Sequence, residues 1–365
     1  MQKRLVYIDG LRGVAVLMVF MIHCGSPALR SLGEYGNLLV NHGRYGVAVF
    51  FVVSAYTLCL SMAPAFDGEG VSWTAYFVRR FFRIAPLYWV TLAFVLYNFA
   101  GSRTGGLASA LAHFSFANIF LPQYGNDILN VEWSIAVEFA FYLLLPIFIF
   151  ACRHRLGVLA LMILFVVSYR EQVKFLYWLG EPYWSNRPYT ILYHLQPFLI
   201  GIFTFIAVRA KLVGTRTMLL IAAVCLCGLY MTLRYGEGGW SEAFISCCTA
   251  GAIISCESDG HARRPLSFIP LTLIGTISYS IYLTHFVILN YLAFPPQLGP
   301  NQVALAQFVL SIGISIITYF AVEQPGRRLG AKLIAWGRFG KSTGHRIAPA
   351  ASQVATQPGV PTNLQ

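Results

Sequence analysis

A chain of 365 residues in which 57% are hydrophobic and 11% charged departs from soluble domains, where about 25% are charged. Its mean hydropathy of +0.63 excludes an ordinary water-soluble globule and calls for several membrane-spanning helices. The net charge of +12 is accounted for by membrane insertion and anionic lipid, so it is no argument for a nucleic-acid partner.

Apolar stretches long enough to cross a core of about 30 Å lie near residues 7–26, 45–63, 84–100, 133–152, 156–169, 190–208, 217–235, 241–256, 272–294 and 302–321. They predict an all-α polytopic membrane protein of about ten transmembrane helices. With the N-terminus placed in the cytoplasm, 18 of the 26 Lys and Arg fall in inside segments, 7 fall outside, and Arg12 lies within the membrane. That asymmetry predicts both termini inside. The basic start runs into Asp9 and Arg12 without a small-residue cleavage site, which reads as a retained first span.

The first span holds Asp9, Arg12 and His23 where a lipid-facing helix carries nothing charged. Arg12 and His23 are eleven residues apart, within roughly 20° of one face and about 16 Å apart along the axis. Ionisable groups in such places mark pathways or reaction sites. Asp9, three residues before Arg12, is placed to hold its guanidinium.

In the second stretch, Gly46 permits close helix approach. Ser54 lies near mid-membrane, where a backbone carbonyl satisfies its hydroxyl. Arg79, Arg80 and Arg83 open the third span at its cytoplasmic edge. Arg80 and Arg83, at i and i+3, project from one face, and two adjacent guanidinium forks suit phosphate oxygens. An ordinary positive-inside anchor accounts for the same charges, and Trp73, Tyr76, Tyr88 and Trp89 resemble an interfacial belt.

The connection over 101–132 contains an apolar piece, Leu107 to Leu121, suited to the outer interface. The fourth span opens with Trp133 and Ser134 and carries Glu138 and Tyr142. Helix rise puts Glu138 about 7 Å inside Trp133, near the expected depth of His23. A carboxylate there orients an imidazole, binds a sugar hydroxyl or pairs with an arginine. The ninth span places Ser278, Tyr282 and His285 on one stripe, bringing a second histidine to the outer half. Glu323 with Arg327 and Arg328 reads as an ordinary helix terminus.

Eight cysteines are scattered without CxxC or Cys/His ligand spacing and read as small buried hydrophobes, so no metal site is expected. Residues 1–330 form one transmembrane domain. Residues 341–365, rich in Ser, Thr, Pro, Ala and Gln, cannot bury apolar surface and are expected to form a disordered cytoplasmic tail.

Five elements in register resemble the acyltransferase-3 family of integral membrane proteins. They are the run from Tyr7 to Gly13 with His23, the run from Gly46 to Ser54, the run from Arg80 to Tyr88, Trp133-Ser134 with Glu138 and Tyr142, and the run from Ser278 to His285. They cover roughly residues 5 to 328. Where the family commonly has Gly after the serine, this chain has Ala55. The soluble esterase-like domain fused to some relatives is not found in this sequence.

The resemblance implies an acyl-CoA-dependent O-acetyltransferase at the bacterial inner membrane. It would move an acyl group, most often acetyl, from cytoplasmic acyl-CoA to a hydroxyl of a surface or exported carbohydrate or glycolipid. Acyl-CoA is then a donor substrate, and no tightly bound cofactor is expected. On this reading Arg80, Arg83 and Arg12 hold the phosphates of CoA and His23 is the general base. Glu138 orients the histidine or the acceptor, while His285, Tyr282, Ser278, Ser54, Trp133, Ser134 and Tyr142 line the cavity. The alternative is a carrier or flippase for a lipid-linked sugar or anion, although the inverted repeats common in carriers are not visible.

Overall fold

The computed structural model describes residues 5–24, 27–99, 106–171, 191, 194–211, 223, 230 and 240–339. Among the described residues every regular element is helical. The principal helices are α1 (Val6–Cys24), α2 (Gly46–Ser61), α3 (Trp73–Phe99), α4 (Gly106–Phe114), α5 (Glu132–Cys152), α6 (Arg155–Glu171), α7 (Leu195–Arg209) and α8 (Trp240–Ser258). They are followed by α9 (Ile269–Thr276), α10 (Ser278–Tyr291), α11 (Pro300–Thr318), a π-helical turn (Tyr319–Glu323) and α12 (Gln324–Phe339).

By length and composition, five helical segments among the described residues can cross a membrane, or six if α9 and α10 are one span bent by 72°. The stretch expected at 217–235 falls almost wholly outside the described residues, as does the tail at 341–365. The helices α6 and α7 match the expected stretches but are shorter apolar pieces.

Three spans differ from their apolar stretches. α3 begins eleven residues before 84, so the helix reaches back beyond the apolar stretch and carries Arg79, Arg80 and Arg83 within it, Arg80 and Arg83 on one face as expected. Hydropathy falls at arginine, whereas helix propensity does not. Pro86 is also accommodated within α3. The ninth stretch is broken at Ile277. The last apolar segment runs on through the π turn as Pro300–Gly337, 38 residues, or about 57 Å at helical rise, so it extends beyond the hydrocarbon.

The core gathers around α1 and α2. Ala15, Val52, Val53, Ala55 and Cys59 are fully buried there, and α1 packs against α2, α9 and α10 while α2 packs against α7. A Cβ at Gly46 would strike the Ala15 carbonyl oxygen, which is why glycine opens α2. A Cβ at Gly201 on α7 would lie 2.6 Å from the Ala55 Cβ. The methyl group that Ala55 adds is therefore received by a missing one on the facing helix.

Candidate active site

Helices α1, α2, α3, α5 and α10 converge on one cavity of about 80 Å³, room for several water molecules. Its wall includes Arg12 from α1, Ser54 and Thr57 from α2, Arg80 and Arg83 from α3, Ser134, Glu138 and Tyr142 from α5, and Ser278, Tyr279 and Tyr282 from α10. Nine of the residues singled out in the sequence thus share one polar space, although they come from five helices. Phe50, Phe51, Val47, Ile84 and Ile135 complete the wall with apolar surface.

Glu138 is the cavity's carboxylate. Its Oε1 accepts a hydrogen bond of 2.6 Å from the Ser54 hydroxyl and one of 2.7 Å from the Tyr142 hydroxyl. Tyr142 is one turn along the same helix, as i,i+4 spacing dictates, while Ser54 reaches across from α2. The serine is therefore satisfied by a side chain and not by the backbone carbonyl expected for it. Tyr76 fixes this corner by donating to the Tyr142 carbonyl at 3.1 Å.

The three arginines differ in their surroundings. Arg12 pairs with Asp9 at 3.5 Å, the i,i+3 partnership expected from the sequence. Arg83 pairs with Glu323 at 2.5 Å and lies 5.8 Å over the Tyr279 ring. Arg80 lies 5.9 Å over the Tyr76 ring, and its Nε has no hydrogen-bond partner. The break at Ile277 also starts α10 at the cavity, with no side-chain cap on its first turn. A helix N-terminus beside three guanidinium groups makes the space attractive to anions.

At the serine end of α5, the Ser134 and Tyr282 hydroxyls are 2.7 Å apart. Glu132, fully buried, accepts backbone N–H groups of Ile128, Leu129 and Val131 at 2.7, 2.9 and 2.9 Å. It therefore shapes the chain entering the helix. Trp133 does not line the cavity; its ring stacks on His194 at 4.9 Å.

The two histidines lie one layer away. The His23 and His285 ring centroids are 5.6 Å apart, with Phe286 4.4 Å from His23. His285 is buried; its Nδ1 donates to the Ile281 carbonyl at 3.0 Å and its Nε2 has no partner. That leaves the Nε2 lone pair available. His23 is exposed at the end of α1. Nor does Glu138 meet His23: among the described residues no hydrogen bond or ring contact joins them, and the carboxylate belongs with the arginines.

Two features were missed or read differently in the sequence. Glu323, assigned to an ordinary terminus, is buried and bonded to a cavity arginine. His113, Asp127 and Glu132 also bring ligand-capable atoms within 4.8 Å of one another, although neither His113 nor Asp127 was given a role. Those atoms are engaged in hydrogen bonds: His113 with Tyr88 and Asp127, Asp127 with Ser109, and Glu132 with backbone amides.

Comparison with known proteins agrees with the resemblance. A protein of Komagataeibacter xylinus whose name is that of a membrane-bound transacylase, BcsY, is 27% identical over 87% of this chain and 82% of its own length. A Bacillus subtilis protein named as a peptidoglycan O-acetyltransferase, YrhL, is 26% identical over 88% of this chain. The O-acetyltransferase OatA of Staphylococcus aureus is 25% identical over 90%. This chain spans only 55% and 58% of the latter two. The family model described as an acyltransferase domain matches residues 5–320, and with these five helices meeting at the motif residues the chain belongs to the acyltransferase-3 family of membrane proteins.

Proposed function

We propose that this protein is an O-acyltransferase of the bacterial inner membrane that moves an acyl group, most simply acetyl, from cytoplasmic acyl-CoA to a hydroxyl of a surface or exported carbohydrate. The observation that carries this reading is the meeting of Arg12, Arg80 and Arg83 with Glu138 in one cavity. Guanidinium groups are matched to the phosphates of CoA, and the relatives' names supply the acyl transfer and the carbohydrate class.

The mechanism is laid out in layers. The arginine wall draws the CoA phosphates into the cavity, and the pantetheine arm extends the thioester toward His23, about 16 Å along α1 from Arg12. His23 takes the proton of the acceptor hydroxyl as that oxygen attacks the thioester carbonyl. Collapse of the tetrahedral intermediate expels the CoA thiolate, which takes up a proton and leaves as free thiol. The Ser134–Tyr282 hydroxyl pair offers donors for the developing oxyanion, and His285 lines the acceptor side. Glu138, held by Ser54 and Tyr142, keeps the polar chamber ordered next to the donor.

The test is release of free thiol by purified protein given acetyl-CoA and a crude cell-wall glycan, with mass spectrometry of the glycan. Glycan-dependent thiol release and a gain of acetyl mass are expected. An absence of thiol release with any hydroxyl acceptor, together with transbilayer movement of a lipid-linked sugar, would replace this reading with the carrier.

A further inference from the structure

The π-helical turn at Tyr319–Glu323 interrupts an otherwise α-helical segment, a rare feature that recurs at functional sites. Within it Phe320 and Ala321 are exposed, yet Glu323 is 1% exposed and points back into the bundle. One extra residue in a turn rotates the helix beyond it, and here it brings an acid to the arginine wall. Both carboxylate oxygens are used. Oε1 is 2.5 Å from Arg83 and 3.7 Å from Arg327, and Oε2 accepts the Ser280 hydroxyl at 3.0 Å.

Arg83 is held from a second direction by the Tyr279 ring, whose hydroxyl is itself anchored on the Ile84 carbonyl at 2.8 Å. Its charge is compensated, and an incoming phosphate there would face the Glu323 carboxylate. Arg80, three residues earlier on the same helix face, has no acid within 4.0 Å among the described residues and an unsatisfied Nε. Two arginines that look equivalent in sequence are therefore unequal in charge compensation and in free donors.

We propose that Glu323 is a positioning residue that fixes Arg83 as part of the cavity wall and leaves Arg80 as the guanidinium that receives the donor's anionic group. The inference rests on the acyl-CoA reading for the identity of that anion, but the inequality of the two arginines does not. Breaking a buried pair by removing one partner is costly, whereas removing both together is much less so. The two halves of the pair therefore belong in one double variant.

Two measurements on the full chain in nanodiscs test this. The first is modification by the arginine reagent phenylglyoxal, localised by fragmentation mass spectrometry. Arg80 is expected to react about 10-fold faster than Arg83, a difference set by one charge-assisted hydrogen bond. Glu323→Gln should raise Arg83 reactivity toward that of Arg80, and Glu323→Asp should keep it low. Equal reactivity in the wild type, or an Arg83 indifferent to Glu323→Gln, overturns the proposal.

The second measurement is CoA affinity by calorimetry. Arg80→Gln should weaken binding by about 10-fold, while the Arg83→Gln/Glu323→Gln double variant stays within about 3-fold of wild type. A double variant that loses as much as Arg80→Gln overturns the assignment of the anion to Arg80. If wild type binds no CoA while the reactivity contrast holds, the donor reading fails and the role of Glu323 stands; CoA binding without the contrast gives the reverse.

Discussion

Ser54 and Glu138, 84 residues apart in sequence, are joined by a hydrogen bond of 2.6 Å from the serine hydroxyl to the carboxylate. The bond ties α2 to α5 across the cavity, and Tyr142 donates to the same oxygen from one turn away. A carboxylate that accepts two hydroxyls is fixed in direction. Among the described residues, Oε2 accepts no hydrogen bond.

Replacing that carboxylate with an amide removes its charge while keeping its size. Glu138→Gln should lower O-acetylation per unit of inserted protein by at least about 100-fold, the scale of an electrostatic contribution in a reacting cavity. Ser54→Ala and Tyr142→Phe should each cost about 10-fold through loss of one charge-assisted bond. Wild-type acetylation by Glu138→Gln, measured by glycan mass spectrometry, would make the residue a packing element.

The histidines separate by position. His23→Ala should abolish acylation with insertion intact. His285→Ala should lower it less, by about 10-fold to 100-fold, because His285 touches His23 only through ring contact. If His285→Ala proves the more damaging change, the buried Nε2, and not the exposed ring of His23, is the base.

Asp127 lies in the connection before α5, where burial disfavours its charge but hydrogen bonds from His113 and Ser109 outweigh burial and hold its pKa below the ordinary 3.8. A carboxylate with a depressed folded pKa adds stability above its unfolded pKa and loses it as pH falls through the folded one. Asp127→Asn should therefore lower thermal stability at pH 7 by about 1 to 2 kcal/mol. The gap should close as pH falls below the ordinary carboxylate range and through the depressed folded pKa. A gap of equal size at acid pH would assign the effect to packing.

Gly201→Ala should destabilise the α2–α7 contact by about 1 to 3 kcal/mol, the cost of overpacking. Adding Ala55→Gly should restore only part of the loss, because the new methyl would also lie 2.6 Å from the Val52 carbonyl oxygen. Detergent melting curves read both. Full restoration would mean the Val52 backbone yields.

Much of the site was legible because it is written in local spacing. The i,i+3 pair of Asp9 and Arg12 and the shared face of Arg80 and Arg83 come from helix geometry alone, and the structure keeps both; the i,i+4 contact of Tyr142 with Glu138 follows the same spacing but was not read from the sequence. Which side chains meet Glu138 was not legible, since Ser54 reaches it from another helix, 84 residues away in sequence. Glu323 was illegible for a related reason: its role depends on a π turn, and no residue type announces one.

Composition and the order of polar residues along each apolar stretch are sufficient to make this chain a helical membrane protein with ionisable residues in its first span, because burial in hydrocarbon leaves few choices for backbone or charge. Which arginine is compensated, which histidine is buried, and which hydroxyls reach Glu138 were decided only when α2, α3, α5 and the π turn packed together. Ångström-scale distances such as that between Arg83 and Glu323, 240 positions apart, depend on helix tilt and rotation. Those are properties of the assembled bundle and not of any one segment.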